Sequence, residues 1–310
     1  MDYKKLIKNR ATRVAVLKLF NFVPDIIMLK LQYRIKFGRK LNLNKPVRLT
    51  EKLQWYKIYY RDPLMIQCVD KYDVRTYVES MGLGDILNEC YGVFDCVEEI
   101  DFDILPDQFV IKDTLGSGGN SVILVKNKAE MDRDKVKAKL RKWVRENNRV
   151  PSGGREWPYY SGKKHRILIE KYLAQPDGDL PDYKFFCFEG KVQYVYFMRN
   201  YTNNHDNGEL GFFDREFNLL TAHRTDFRPI LDQPPKPEKY DEMVRIAELL
   251  SKEFPHVRVD FFCSNGKIVF GEFTFTMASG YITFEPDDFD FTMGKCFVLP
   301  EKRANEKFDR

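Results

Sequence analysis

Residues 257–276 read VRVDFFCSNGKIVFGEFTFT. Two runs of period-two alternation flank Ser264-Asn265-Gly266, a hairpin signal, because alternate strand side chains face opposite sides and Gly accepts a left-handed turn. A three-residue loop with Gly266 left-handed pairs Cys263 with Lys267. Arg258 then sits opposite Glu272, and Asp260 sits opposite Phe270. One face carries Val257, Val259, Phe261, Cys263, Val269, Gly271, Phe273 and Phe275; the other carries Arg258, Asp260, Glu272 and Thr274. A two-residue loop would put Asp260 and Glu272 on opposite faces and bury a carboxylate in the apolar layer, which is costly. An odd-length turn is therefore expected. Two readings of the polar face stand: the solvated side of an ordinary hairpin, or a divalent-cation site, since hard cations take carboxylate oxygens.

The rest of the chain can build a body around such a hairpin. Its 310 residues, 43% hydrophobic and 15% aromatic, suffice for one elaborate domain or two modest ones. No apolar run of eighteen residues crosses a membrane, and no signal-peptide pattern opens the chain. Six cysteines without CxxC spacing read as reduced thiols of a cytoplasmic protein, and four histidines never stand at ligand spacing for zinc. The net charge of +5 is uneven: residues 1–40 hold eleven Lys or Arg against Asp2 and Asp25. That basic segment, with the apolar clusters VAVLKLF and IIMLKLQYRIKF, reads as a helical extension packed with its basic side in water. The alternative is contact with an anionic membrane surface or a membrane-associated partner. Nucleic acid is not an expected partner, because no base-stacking module accompanies the charge.

Downstream, RLTEKLQWYKIYY reads as a helix with Thr50 as its cap. DPLMIQCVDKYDVRTYVESMG reads as one or two further helices ending at Gly82, and DRDKVKAKLRKWVREN and EKYDEMVRIAELLSKEF read as amphipathic helices. QFVIKDTLGSGGNSVILVKN is strand, glycine loop, strand. HRILIEKYL is a buried strand, and DYKFFCFEGKVQYVYFMRN is a hairpin turning at Glu189-Gly190. Hairpins alternating with helices imply an α+β architecture.

Lys112 on an apolar strand ahead of Gly116, Gly118 and Gly119 suits a polyanion, because glycines let backbone N–H groups approach and the lysine supplies charge. The bland reading is an ordinary glycine-rich turn. Glu170, ending a buried strand, could read an adenine edge or simply cap the strand.

Taken in order, Asp70-Lys71, Lys112 with its glycine loop, Glu170, Lys184, and Asp260 with Glu272 resemble the ATP-grasp superfamily. More closely, LTEKLQWYKIYYRDP, DKYDVRTYV, LPDQFVIKDTLGSGGNSV, GREW, EKYLAQPDGDLPDYKFFCFEGK and FPHVRVDFFCSNGKIVFGEFTFTMASG resemble the TupA-like ATP-grasp family, over residues 42–300. The resemblance implies an ATP-grasp fold, with ATP between the sheets of two α+β subdomains. Within its span the expected divisions are a helical region (42–105), a subdomain with the glycine loop (106–175) and a subdomain with the metal hairpin (176–300); outside it lie the basic helical extension (1–41) and a charged tail (301–310).

By the same resemblance Lys71 and Lys112 hold the α- and β-phosphates, and Ser117, Gly118 and Gly119 fold over the β- and γ-phosphates. Glu170, Lys171, Tyr172 and Leu173 line the adenine pocket, with Asp179 or Asp182 near the ribose. Lys184 reaches the γ-phosphate, Asp260 and Glu272 hold Mg²⁺ with Thr274 as a neutral oxygen, and Arg258 steadies an acyl phosphate. Arg199 grips an acceptor carboxylate or the intermediate. Thr274 departs from the superfamily's usual Glu-x-Asn, and the usual N-terminal α/β domain is replaced by helices.

The family is linked to teichuronopeptide and other bacterial surface polysaccharides. The expected activity is therefore an ADP-forming carboxylate–amine ligase acting on a uronic acid and an amine or amino acid. The basic loop 151–165, with Arg155, Trp157 and His165, is a candidate for receiving an anionic sugar. A sugar kinase with Asp182 or Asp206 as general base is the alternative; a glycosyltransferase is another. Against the glycosyltransferase, the DFD runs at 101–103 and 288–290 both read as loops.

Overall fold

The computed structural model describes residues 17, 19–116, 121–146, 154–173, 178–201 and 208–303. Two antiparallel-dominated sheets organise them. The smaller, in the order β1-β4-β2-β3, comprises β1 (Cys90–Phe94), β2 (Phe109–Asp113), β3 (Val122–Val125) and β4 (Ile167–Lys171). The larger runs β11-β10-β5-β6-β7-β9, from β5 (Asp182–Phe188), β6 (Lys191–Arg199), β7 (Glu209–Asp214), β9 (Arg228–Pro229), β10 (His256–Ser264) and β11 (Lys267–Thr274). A two-stranded ribbon joins β8 (His223–Arg224) to β12 (Phe284–Glu285).

Each sheet is backed by its own core. Phe109, Ile111, Ile167 and Ile169 point to the side covered by α5 (Arg133–Val144), whose Leu140 and Trp143 are buried there. Asp132 caps α5 by accepting from the Lys135 N–H. On the larger sheet, Phe185, Val257, Val259 and Phe261 face α6 (Tyr240–Leu250), with the Phe185 and Tyr240 rings 5.8 Å apart. Each such buried aromatic or aliphatic side chain is worth about 1.5–3 kcal/mol relative to exposure.

The helical N-terminal region packs on the larger sheet. It contains α1 (Asp25–Phe37), α2 (Leu49–Tyr59), α3 (Pro63–Val69) and α4 (Val74–Ser80), and Gly82 (φ 74°) follows α4. The Tyr56 hydroxyl donates to the His256 carbonyl, and α7 (Phe289–Cys296) completes the cover, with its Phe289 ring 5.3 Å from Tyr194. Thr50 is not the cap of α2. The helix begins at Leu49, and the freed Val47 and Arg48 N–H groups donate to Glu51. The Thr50 N–H and hydroxyl instead donate to Asp290 of α7, at 2.9 and 2.7 Å. The DFD at 288–290 is therefore no loop: Asp290 lies inside α7, bound across the helix pair.

The hairpin of residues 257–276 differs from expectation in an informative way. Its turn has two residues, Asn265 (φ 51°) and Gly266 (φ 72°), and Ser264 pairs with Lys267. Cys263 pairs with Ile268 and Phe261 with Phe270, but Asp260 pairs with Glu272 and Arg258 with Thr274. Gly271 is the extra residue of a β-bulge. It restores the parity that the short turn inverts, so Asp260 and Glu272 share a face after all. Near the turn, Ile268 and Phe270 rather than Val269 fill the apolar side. A Cβ at Gly271 would lie 3.0 Å from the Asp260 carbonyl oxygen, which is why glycine stands there.

Candidate active site

The polar face of β5, β10 and β11 gathers six of the expected site residues. Asp260 is opposite Lys184 on one side and Glu272 on the other. Its Oδ2 accepts from the Lys184 Nζ at 2.7 Å, and Arg258 donates to both its oxygens, Nε–Oδ1 at 2.7 Å and Nη2–Oδ2 at 2.6 Å. The same guanidinium donates to the Thr274 hydroxyl at 2.9 Å and lies 3.8 Å from Glu272. Lys184 also binds Asp182.

Burial alone would raise the Asp260 carboxyl, but Arg258 and Lys184 outweigh it and hold the group below the ordinary range. Asp182 goes the other way. Burial pushes it up to about 6 against the pull of Lys184. One of its oxygens, Oδ1, is buried without a hydrogen-bond partner.

A second group lies on the smaller sheet. Lys112 donates to Glu170 at 2.6 Å, and Arg75 approaches the other Glu170 oxygen at 3.5 Å. Lys171 points outward to Glu89, and Tyr172 and Leu173 follow β4 half-buried. Residues 70–75 join the two groups. The Lys71 N–H donates to the Thr114 carbonyl, its ammonium binds the Gly116 carbonyl at the root of the glycine loop, and it stands 3.7 Å from Glu272. Asp70, beside it, is fully buried and is fixed by Arg166 at 2.9 Å. Ser117, Gly118 and Gly119 lie outside the described residues, as does Asp206.

Asp179 and Arg199 stand apart from the carboxylate–cation cluster. Asp179 accepts from the Asn200 N–H, and the Arg199 guanidinium is spent on Glu209 and Asp232, at 2.7 and 2.6 Å. The loop 151–165 requires a correction. Arg155 and Trp157 are 2% and 1% exposed, and His165 is bonded to Asp113 at 2.7 Å, so none of the three is offered to a sugar. Arg155 instead donates to the Phe20 and Val23 carbonyls and to Asp25, tying the segment to the N-terminal region.

Sequence reasoning missed the layer beside the hairpin's open end. Glu156 accepts from the Thr276 and Ser279 hydroxyls. Ala278, Ser279 and Gly280 are all left-handed, at φ 47°, 53° and 70°. The buried Lys57 ammonium donates to Gln54, to the Gly154 carbonyl at 2.8 Å and to the Ser279 carbonyl at 2.6 Å; burial lowers it to about 8. Tyr159 is half-buried next to Glu156 and Glu272, and desolvation together with their negative charge pushes its phenol upward. The sequence signals for this layer are the runs LTEKLQWYKIYYRDP, GREW and TMASG, none of which marks these side chains as neighbours.

The donor set fits a hard divalent cation: ionised Asp260 and half-exposed Glu272 face each other across two strands, with the Thr274 hydroxyl one pair further along. Among the described residues, no cluster of three or more His, Cys, Asp or Glu assembles as a self-sufficient metal cage. Three carboxylates (Asp182, Asp260 and Glu272) and two cations (Lys184 and Arg258) share one face of the larger sheet, and Lys71 reaches from Glu272 to the Gly116 carbonyl at the root of the glycine loop. A family model described as TupA-like ATPgrasp matches residues 51–298. The chain belongs to the TupA-like ATP-grasp family. It has the ATP-grasp fold, an α+β arrangement of two sheets.

No curated protein matches the chain. Solved structures that resemble it include D-alanine–D-alanine ligase from Bacillus anthracis, 20% identical, covering 67% of this chain and 57% of that one, TM-score 0.41. The D-alanine–D-alanine ligase from Helicobacter pylori is 14% identical, covering 81% and 68%, TM-score 0.43. The biotin carboxylase domain of 2-oxoglutarate carboxylase from Hydrogenobacter thermophilus is 14% identical, covering 78% and 48%, TM-score 0.42. The chain thus spans little more than half the length of the Bacillus anthracis enzyme.

Proposed function

We propose that this chain is an ATP-dependent, ADP-forming carboxylate–amine ligase that makes an amide on a uronic acid of a bacterial capsule or other surface polysaccharide, with an amine or amino acid as second substrate. The observation that carries the reading is the Asp260–Glu272 pair, set on one face between Arg258, Lys184 and Lys71. Family membership supports the nucleotide; the substrate class rests on the resemblance drawn from the sequence motifs alone.

In this reading Lys71 and Lys112 bind the α- and β-phosphates, while Glu170, Lys171, Tyr172 and Leu173 border the adenine and Asp179 or Asp182 the ribose. Ser117, Gly118 and Gly119 lie over the β- and γ-phosphates. Asp260 and Glu272, with Thr274, would hold Mg²⁺, which neutralises phosphate charge when bound. Lys184 and Arg258 already converge on Asp260, so both are pre-positioned to meet charge developing on a transferred phosphoryl group. The substrate carboxylate attacks the γ-phosphorus and ADP departs. The amine then attacks the acyl carbon, phosphate leaves, and the amine loses a proton. Arg199 serves the acceptor only by exchanging its carboxylate partners.

A sugar kinase is the second reading. It is favoured by one observation, the buried Asp182 with an unpartnered oxygen and an elevated proton affinity, which suits a base accepting a hydroxyl proton.

Incubation with ATP, Mg²⁺ and panels of uronic acids and amines separates the two. ADP release that requires both a carboxylate and an amine, with an amide product, is expected. ADP with a phosphosugar and no amine requirement would establish the kinase instead.

A further inference from the structure

Among the described residues, twelve large apolar side chains are exposed, and seven of them fall within residues 19–35: Leu19, Phe20, Phe22, Ile26, Ile27, Leu31 and Ile35. Such a concentration is unlike the scattered exposure of an ordinary surface. The inner side of α1 is firmly held. Met28, Leu29 and Tyr33 are buried, the Tyr33 and Thr50 hydroxyls are 2.9 Å apart, and the Tyr281 hydroxyl donates to Gln32 at 2.6 Å. Asp25 is bound by Arg155 and by the Tyr160 hydroxyl. The helix therefore cannot roll to hide its outer face.

That outer face has a simple chemistry. Ile27, Leu31 and Ile35, spaced i, i+4, i+8, form a stripe with exposures of 57, 53 and 40%. Lys30 and Arg34, both exposed, run alongside it one step round the helix. Over residues 1–40 the only carboxylates are Asp2 and Asp25, and Asp25 is already bound. An apolar stripe edged by cations, in a strongly basic segment, matches the layered chemistry of an anionic bilayer surface.

A second copy of this chain fits poorly. A two-fold contact through the stripe would bring Lys30 and Arg34 against their own counterparts. No helix among the described residues is long and apolar enough to span a bilayer, so α1 would lie on it.

We propose that the outer face of α1, with Phe22, docks on an anionic lipid surface: Ile27, Leu31 and Ile35 at the acyl boundary, Lys30 and Arg34 at the phosphates. The inference is independent of the reaction proposed above, because it rests on a surface remote in chemistry from the carboxylate–cation cluster.

The test is co-sedimentation of the full chain with vesicles of phosphatidylcholine alone or mixed with phosphatidylglycerol, at low and high salt. The wild type is expected to bind the anionic vesicles at least about tenfold more tightly than the neutral ones, and to lose that preference at high salt. The variant Ile27→Ser/Leu31→Ser/Ile35→Ser should weaken binding about tenfold or more at an unchanged melting temperature. Lys30→Gln/Arg34→Gln should remove most of the anionic preference. Failure to sediment with either vesicle, equal binding to both, or indifference to both variants would overturn the proposal. So would a dimer, seen by light scattering, that the serine variant dissociates while vesicle binding is absent.

Discussion

At the scale of single residues the site turns on Asp260, whose carboxylate is 1% exposed and bound by two cations. Removing its charge leaves Arg258 and Lys184 buried with less compensation. Asp260→Asn is therefore expected to cost about 3 kcal/mol of stability as well as activity. Glu272 differs: its side chain is 40% exposed and touches Arg258 and Lys71 only at 3.8 and 3.7 Å. Glu272→Gln should change stability by less than about 0.5 kcal/mol. Both variants should lower ATP turnover by about a hundredfold or more. Urea unfolding beside ADP release checks the contrast, and full turnover by Glu272→Gln would remove the carboxylate pair from the site. The chemistry of these residues could be read from the sequence because like types recur at period two within one hairpin. Lys57, Glu156 and Tyr159 could not: they reach the same region from segments about a hundred residues away, and only the fold brings them together.

At the scale of the element, the hairpin shows how a pattern can be right for the wrong local reason. The alternation of polar and apolar residues correctly required Asp260 and Glu272 on one face, and an odd turn was the simplest geometry to provide it. The chain instead closes with a two-residue Asn265-Gly266 turn and inserts Gly271 as a bulge, two parity changes that cancel. Sequence pattern constrains faces; it does not say where the extra residue sits. Gly271 should then be the sensitive position. An alanine Cβ would lie 3.0 Å from the Asp260 carbonyl oxygen and 3.3 Å from the Phe262 ring, both backed by packed strands. Gly271→Ala is expected to cost about 1–2 kcal/mol. It should also depress turnover more than Gly266→Ala does, because the displaced bond belongs to the neighbour of Glu272. A Gly271→Ala enzyme with wild-type melting temperature and rate would mean that the bulge relaxes freely.

At the scale of the whole molecule, the order of motifs from Lys71 to Glu272 made the family legible, since each motif is short and local. The assembly was less legible. Nothing in the helical residues of the first ninety says that they cover the larger sheet, because packing partners lie some two hundred residues apart, as with Thr50 and Asp290 or Tyr56 and His256. The described part of the basic extension, residues 19–40, shows the same limit: α1 packs on the body, yet its side left in water is apolar as well as basic. Removing residues 1–40 therefore tests more than a surface. It deletes Leu29 and Tyr33, both 0% exposed, and leaves the buried Arg155 guanidinium without Asp25 and the Phe20 and Val23 carbonyls. Leu29→Ala alone should cost about 3 kcal/mol. The truncation should cost more, because a buried charge also loses its partners. Thermal melting of both variants beside the intact chain decides the matter: a truncated protein that melts with the wild type would show that α1 rides on the body without stabilising it.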